Sequence, residues 1–250
     1  MKKSSYFGKQ AVSVDCVVFG FDADNNTLKV ALSKTEQSES SSQEEFKLLG
    51  SLIKNDEDIA TAVMRVLNEK TGLKSLYIRQ MAVFSEPDRV MGKGLDWINQ
   101  RYGIDTCRVV TVAHYSLVKL SKSLLEHSAA AGVEWIDLNR VRKLALDHQR
   151  ILVEAIDYLT RSFLQEPIAF EVLPRKFTIR QLKALYTTVL NTEIDDRNFR
   201  KKILASGLID ATSEKEIGVK HKPAKYYTFN GKRYQREHKR AKLNLINWQL

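Results

Sequence analysis

The sequence predicts an α+β protein in two parts: a mixed strand-and-helix domain over residues 1–166, then a basic domain of helix, turn, helix and β-ribbon over residues 167–250. Three observations carry this. β-rich runs interleave with amphipathic helical stretches in the first part. Two short capped helices and a hairpin fill the second. All of the excess charge lies in the second part. The 250 residues suffice for one large or two ordinary domains. A hydrophobic fraction of 43% and a charged fraction of 28% exclude a mainly disordered chain, and 11 Gly with 4 Pro exclude a fibrous one. The net charge is +10; residues 1–170 hold 22 side chains of each sign, whereas residues 171–250 hold 18 basic against 8 acidic. A polyanion surface is therefore expected in the last third.

Val12–Phe21 and Leu28–Leu32 are β-rich and flank the turn Asp24-Asn25-Asn26, which predicts a hairpin. Residues 35–45, rich in Ser, Glu and Gln, predict a surface loop. A short strand at Phe46–Gly50 precedes a helix over Glu57–Lys70, whose Ile59, Val63, Val66 and Leu67 form an apolar stripe ended by Gly72. Strands follow at Ser75–Phe84, Arg108–Lys119 and Val133–Ile136, with residues 85–107 as a long inserted loop. Leu144–Leu164 is helical, and Pro167 and Pro174 bracket a joint between the domains. Cys16 and Cys107 are too few for a disulfide framework or metal cluster and read as buried thiols. Lys9, Gln10, Ser13 and Asp15 break the first apolar run, and no stretch reaches the roughly 20 apolar residues of a membrane span. A cytoplasmic protein without a membrane partner is expected.

In the basic part, Thr178 and Gln181 form a capping box for a helix with Leu182, Leu185, Tyr186 and Val189 on its apolar face. Asp195 or Asp196 caps the next helix. There Phe199, Ile203 and Leu204 share the apolar side, while Arg197, Asn198, Lys201 and Lys202 face away and Arg200 sits at the border. Arg and Lys can donate to guanine and Asn can pair with adenine, so this is the chemistry of a recognition helix. Ile217–Phe229 predicts a ribbon whose Lys220, Lys222 and Lys225 suit phosphate contacts. Helix, turn, helix and basic ribbon make a winged helix-turn-helix. Arg180 and the tail residues Lys232, Arg233, Arg236, Lys239 and Arg240 add to the same charge. The expected partner is double-stranded operator DNA.

In the neutral part, Gly50–Leu73 resembles the box of Nudix hydrolases, G-x5-E-x7-R-E-U-x-E-E-x-G-U. Glu57, Arg65, Leu67, Glu69, Gly72 and Leu73 hold their places, and Gly50 stands one residue before the first glycine position, which Ser51 fills. Val66 and Lys70 replace two of the three helix carboxylates. Hard cations need clustered oxygen ligands, so a Nudix-like α/β/α sandwich without pyrophosphatase activity is expected: no catalytic residue, no metal, no cofactor. The alternative is a hydrolase using other carboxylates, such as Glu86 or Asp88. A neutral box joined to a basic winged helix is similar to the Nudix-related transcriptional regulators. The resemblance runs through Val14–Phe21, Glu86-Pro87-Asp88-Arg89, Asp147-His148, Phe177–Leu182 and Asp196–Lys202, as far as Lys222–Tyr227. It implies a homodimeric repressor whose Nudix-like domain senses a small-molecule effector and releases DNA.

One branch of that family answers to ADP-ribose-type signals of NAD metabolism and another to L-arabinose. In the NAD-linked branch a Gly-Arg pair closely follows Pro-Asp-Arg. Here Val90–Cys107 intervenes, with Trp97 and Tyr102, which favours L-arabinose on an aromatic platform. Trp97 as a structural anchor is the competing reading. Effector-binding candidates are Lys47, Glu69, Glu86, Asp88, Arg89 and Trp97. His114 and His148 read as packed histidines, and Asp147 as a helix cap.

Overall fold

The computed structural model describes residues 9–35, 46–74, 77–218 and 222–238. Residues 36–45 of the expected surface loop lie outside that range, as do Lys220, Lys239 and Arg240. The chain divides into two units: residues up to Gly20 with Lys29–Ser116 and Leu120–Ile156, and Phe21–Leu28 with Leu117–Lys119 and the described residues from Asp157. Among the described residues no helix is long and apolar enough to cross a membrane.

The expected hairpin is β1 (Gln10–Asp22) and β2 (Thr27–Lys34). Residues 13–20 of β1 are all buried, because both faces of this central strand are covered. The short strand near Phe46 is two pieces, β3 (Phe46–Lys47) and β4 (Leu49–Leu52), which pair with β2 and β1 respectively. The split arises at Leu48, whose N–H donates to the His148 ring instead of to a strand.

Next comes α1 (Ile59–Thr71). Asp58 caps it by accepting from the Thr61 N–H, and Gly72 ends it in the left-handed region at φ 71°. Val63, Val66 and Leu67 are buried as expected, whereas Ile59 in the first turn is 38% exposed. After β5 (Ile78–Phe84), the region expected as a loop contains a ten-residue helix, α2 (Lys93–Tyr102), bounded by Gly92 and Gly103. Leu95, Ile98 and Tyr102 stand at helical spacing, and Ile98 packs with Val90 and Val109. β6 (Arg108–Lys119) follows, then α3 (Lys122–Ala130), unforeseen from the sequence although Ser121 caps it. β7 (Val133–Asp137) and α4 (His148–Gln165) complete the sequence. The sheet has seven strands in the order β3-β2-β1-β6-β5, with β4 on β1 and β7 on β2. Cys16 is buried in β1, and the apolar surroundings and Asp15 push its thiol up out of the reactive range. Cys107 is exposed, against expectation, because it lies in the turn entering β6 and donates to the Lys9 carbonyl.

In the second unit, the proline-bracketed joint contains one helical turn, α5 (Ala169–Val172), and β8 (Phe177–Thr178) leads into α6 (Ile179–Leu190). The capping box forms: Thr178 Oγ accepts from the Gln181 N–H, and Gln181 Oε1 accepts from the Thr178 N–H. Asp195, not Asp196, caps α7 (Asp196–Ala205). The ribbon is β9 (Ile209–Lys215) and β10 (Lys225–Phe229), joined to β8 in the order β8-β10-β9. The sequence placed its first strand too late: Ile217 is 96% exposed in the wing loop, and the buried anchor is Ile209. A basic helix, α8 (Gly231–His238), follows. The core is aromatic. Tyr186 sits edge-on between Phe163 at 4.7 Å and Phe199 at 5.5 Å between ring centroids.

Candidate nucleic-acid interface and effector cleft

α7 is fixed by two buried side chains, Phe199 and Ile203. Leu204, expected beside them, is 42% exposed, since at helical spacing it points well away from the direction of Phe199. Arg197, Asn198, Arg200 and Lys201 are exposed and Lys202 is half-buried. α6 contributes Arg180 and Lys183, and the ribbon contributes Lys215, Lys222 and Lys225. These side chains and part of α7 line a groove of about 590 Å³. Not every cation there is unengaged. Arg180 Nη2 lies 3.2 Å from Glu216 Oε1, and Lys183 Nζ 2.7 Å from Asp196 Oδ1.

A separate cleft of about 50 Å³ lies in the first unit. Its floor comes from β1 (Ser13, Asp15), its walls from Lys47, Leu48, residues 50–52, Arg89, Val109 and Thr111, and its cover from α2 (Trp97, Ile98, Tyr102). Arg89 is almost fully buried. Its Nε and Nη2 each lie 2.8 Å from an oxygen of Asp147, and Nη1 donates to Thr111 Oγ1 at 2.7 Å. Such bidentate pairing fixes a guanidinium in orientation as well as charge. Asp147 thus serves Arg89 with its side chain, while its carbonyl accepts from Ile151 in the first turn of α4. Thr111 is also linked to Ser13, hydroxyl to hydroxyl, at 2.7 Å.

His148 is buried, and its Nδ1 accepts from the Leu48 N–H at 2.9 Å. The ring proton therefore sits on Nε2, which faces Asp15 Oδ2 at 3.7 Å. Burial holds its pKa below the ordinary histidine value even though Asp15 and Asp147 favour the charged form. His114, also buried, is held down for the same reason, and its Nδ1 lies 3.1 Å from the Val112 carbonyl. The Asp15 carboxylate closes directly over the Gly50 Cα.

Of the sequence-based effector candidates, Lys47, Arg89 and Trp97 line this cleft; Glu69, Glu86 and Asp88 do not. Glu69 is exposed on α1 beside Arg65 at 3.8 Å. Glu86 points to Arg150, 2.5 Å away, and Asp88 is exposed. The Trp97 ring is not bare either: Lys47 Nζ lies 5.1 Å and the Arg101 guanidinium 5.4 Å from its centroid. Asp15, Ser13 and Thr111 were missed. Their signal was a carboxylate and two hydroxyls inside otherwise apolar strands, where polar groups need a reason to be buried.

In the box-like segment, Arg65 Nη2 holds Glu57 at 2.5 Å and the Leu52 carbonyl at 3.2 Å, tying the loop back to the helix. That pairing draws the Glu57 pKa down to about 2. Val66 is buried, and among the described residues no group of three acidic, His or Cys side chains is placed to hold a metal ion.

The two units have the folds of a Nudix-like domain and a winged helix. Residues 169–229 match the NrtR DNA-binding winged helix domain. The chain is 26% identical over 234 residues to the ADPR responsive transcriptional repressor NtrR of Acinetobacter baylyi, covering 91% of this chain and 85% of that protein. It is similar in structure to Shewanella oneidensis NrtR, at 25% identity and a TM-score of 0.68, over 88% of this chain and 94% of the other. NrtR of that organism complexed with a 27mer DNA gives a TM-score of 0.69 at 24% identity, over 88% and 93%.

Proposed function

We propose that this protein is a DNA-binding transcriptional repressor whose Nudix-like domain senses an ADP-ribose-type effector without hydrolysing it. One observation carries the reading: α7 is anchored by Phe199 and Ile203 and leaves Arg197, Asn198, Arg200 and Lys201 exposed, and Arg200 lines one groove with the lysines of a wing. Arg197 and Asn198 read bases. Arg180, Arg200, Lys201, Lys202, Lys222 and Lys225 meet phosphates, and Lys220 is assigned with them from sequence alone.

The choice of effector follows the Acinetobacter relative's name, which supports the ADP-ribose alternative over the L-arabinose expectation. An inserted loop over Val90–Cys107 would present Trp97 as an aromatic platform for a sugar. The segment instead contains the helix α2, whose tryptophan is covered by two cations, which suits an anionic ligand better than a neutral sugar. At about 50 Å³ the cleft falls well short of the roughly 300–1,000 Å³ of an ordinary small-molecule site, so the effector displaces side chains that now fill it. A homodimer on a palindromic operator is part of the same proposal, because two winged helices match a site only at one half-site spacing. The test is thermal-shift titration with ADP-ribose and L-arabinose, beside DNA binding with and without each. Stabilisation and DNA release by ADP-ribose alone are expected. Release by arabinose alone, or magnesium-dependent turnover of ADP-ribose, would overturn the reading.

A further inference from the structure

The wing is built against its own charge. Lys215 and Lys225 stand directly opposite across β9 and β10, and Lys222 lies close before Lys225 in the chain. Like charges facing across a ladder destabilise it. Glu216 is the acid next to Lys215 at the wing root, and its side chain is only 12% exposed. Its backbone N–H donates to the Ala224 carbonyl at 2.9 Å, closing the loop. Its Oε2 accepts from the Ala224 N–H at 3.0 Å, and its Oε1 takes Arg180 Nη2 at 3.2 Å. One carboxylate thus joins both strands of the wing root to the first turn of α6. The same wing carries Lys222 and Lys225 to the rim of the groove that α6 and α7 line.

We propose that Glu216 is a positioning residue for DNA binding. Its carboxylate clamps the wing root to α6 and offsets the lysine repulsion, so the wing lysines are held in place before DNA arrives. The proposal rests on the DNA-binding reading above. It makes an acid on a DNA-facing surface favourable for affinity, whereas charge counting alone says that deleting an anion tightens binding to a polyanion.

Fluorescence anisotropy tests this on a labelled duplex that the wild-type protein has itself selected from a random-sequence pool. Glu216→Ala should bind about ten-fold more weakly at physiological salt, with a shallower salt slope, as for one to two lost phosphate contacts. Glu216→Gln keeps an acceptor for Ala224 but not the charge, and should fall between. Circular dichroism melting checks that each variant is folded. A folded Glu216→Ala protein that binds as tightly as wild type, or more tightly, with an unchanged slope overturns the proposal. If the alanine variant melts early, the glutamine variant decides: weaker binding supports the clamp and tighter binding overturns it. A wild-type protein that selects no duplex removes the DNA-binding reading, and this one with it. Failure of the variants alone leaves that reading standing.

Discussion

Arg89 has three nitrogens bonded inside the protein, two of them to Asp147 and one to Thr111. Removing one partner of a buried pair strands the other, so Arg89→Ala should cost about 3–5 kcal/mol, read as a fall in the urea midpoint. Lysine cannot reproduce the fork, and Arg89→Lys should recover little. Gly50 is a second single-residue constraint. A methyl there would run into the Asp15 carboxylate and lie 2.8 Å from the Val14 carbonyl. Gly50→Ala should therefore lower the melting temperature and disturb the Asp15–His148 wall of the cleft.

The imidazoles of His148 and His114 are held neutral by burial, below the ordinary value of 6.5. As pH falls through about 6.5, the unfolded chain gains protons at these rings that the folded chain resists. The stability from the neutral rings is whole above that pH and declines below it. Melting temperature should drop between pH 7 and 5, and His148→Gln, which still offers an acceptor to the Leu48 N–H, should flatten that drop. A slope unaffected by the substitution would assign the loss to other groups. Glu57 acts in a lower window: its pKa is drawn below 4.5, so the stability it supplies is lost only on further acidification.

Among the elements, those whose signals are local were legible. β1, β6 and α6 stand close to their expected bounds, because β-branched runs and a complete capping box declare themselves within a few residues. Thr178→Ala should cost about 1 kcal/mol by removing the acceptor of the Gln181 N–H at the start of α6. α2 was missed because two flanking glycines and an uncapped start look like loop punctuation, while the Leu95, Ile98 and Tyr102 stripe spans only eight residues. The wing strand was placed too late because the exposed stretch Asp210–Lys215 is held by its ladder to β10, a long-range cause. The effector cleft was legible in part, since its lining comes from β1, the β3–β4 region, β6 and the start of α4 as well as from the box. At α7 the division of labour is testable with selected and scrambled duplexes. Arg197→Ala should lose discrimination between them, and Lys222→Ala should weaken both alike and reduce the salt slope by about one unit.

For the whole molecule, the charge split should give the proposed DNA binding a steep salt dependence that arises in the last third of the chain. A ligand at about 100 times its dissociation constant adds roughly 2.7 kcal/mol to stability if it binds only the folded form, enough to register in a thermal scan. Effector binding that opens the α2 side of the cleft should also change the emission of Trp97, and Trp97→Phe should remove that change while keeping the thermal shift.

The box-like segment separates two jobs that share one motif. Arg65 still braces the loop through Glu57 and the Leu52 carbonyl, while Val66 and Lys70 stand where two carboxylates would be. If the unit senses a ligand as proposed, it does so without the clustered carboxylates that would tie binding to a cation. Its occupancy should follow the level of its organic ligand alone, indifferent to the magnesium supply. The ligand-induced thermal shift should be the same with excess magnesium as with a chelator, and a shift that vanished on chelation would show that the cation still takes part.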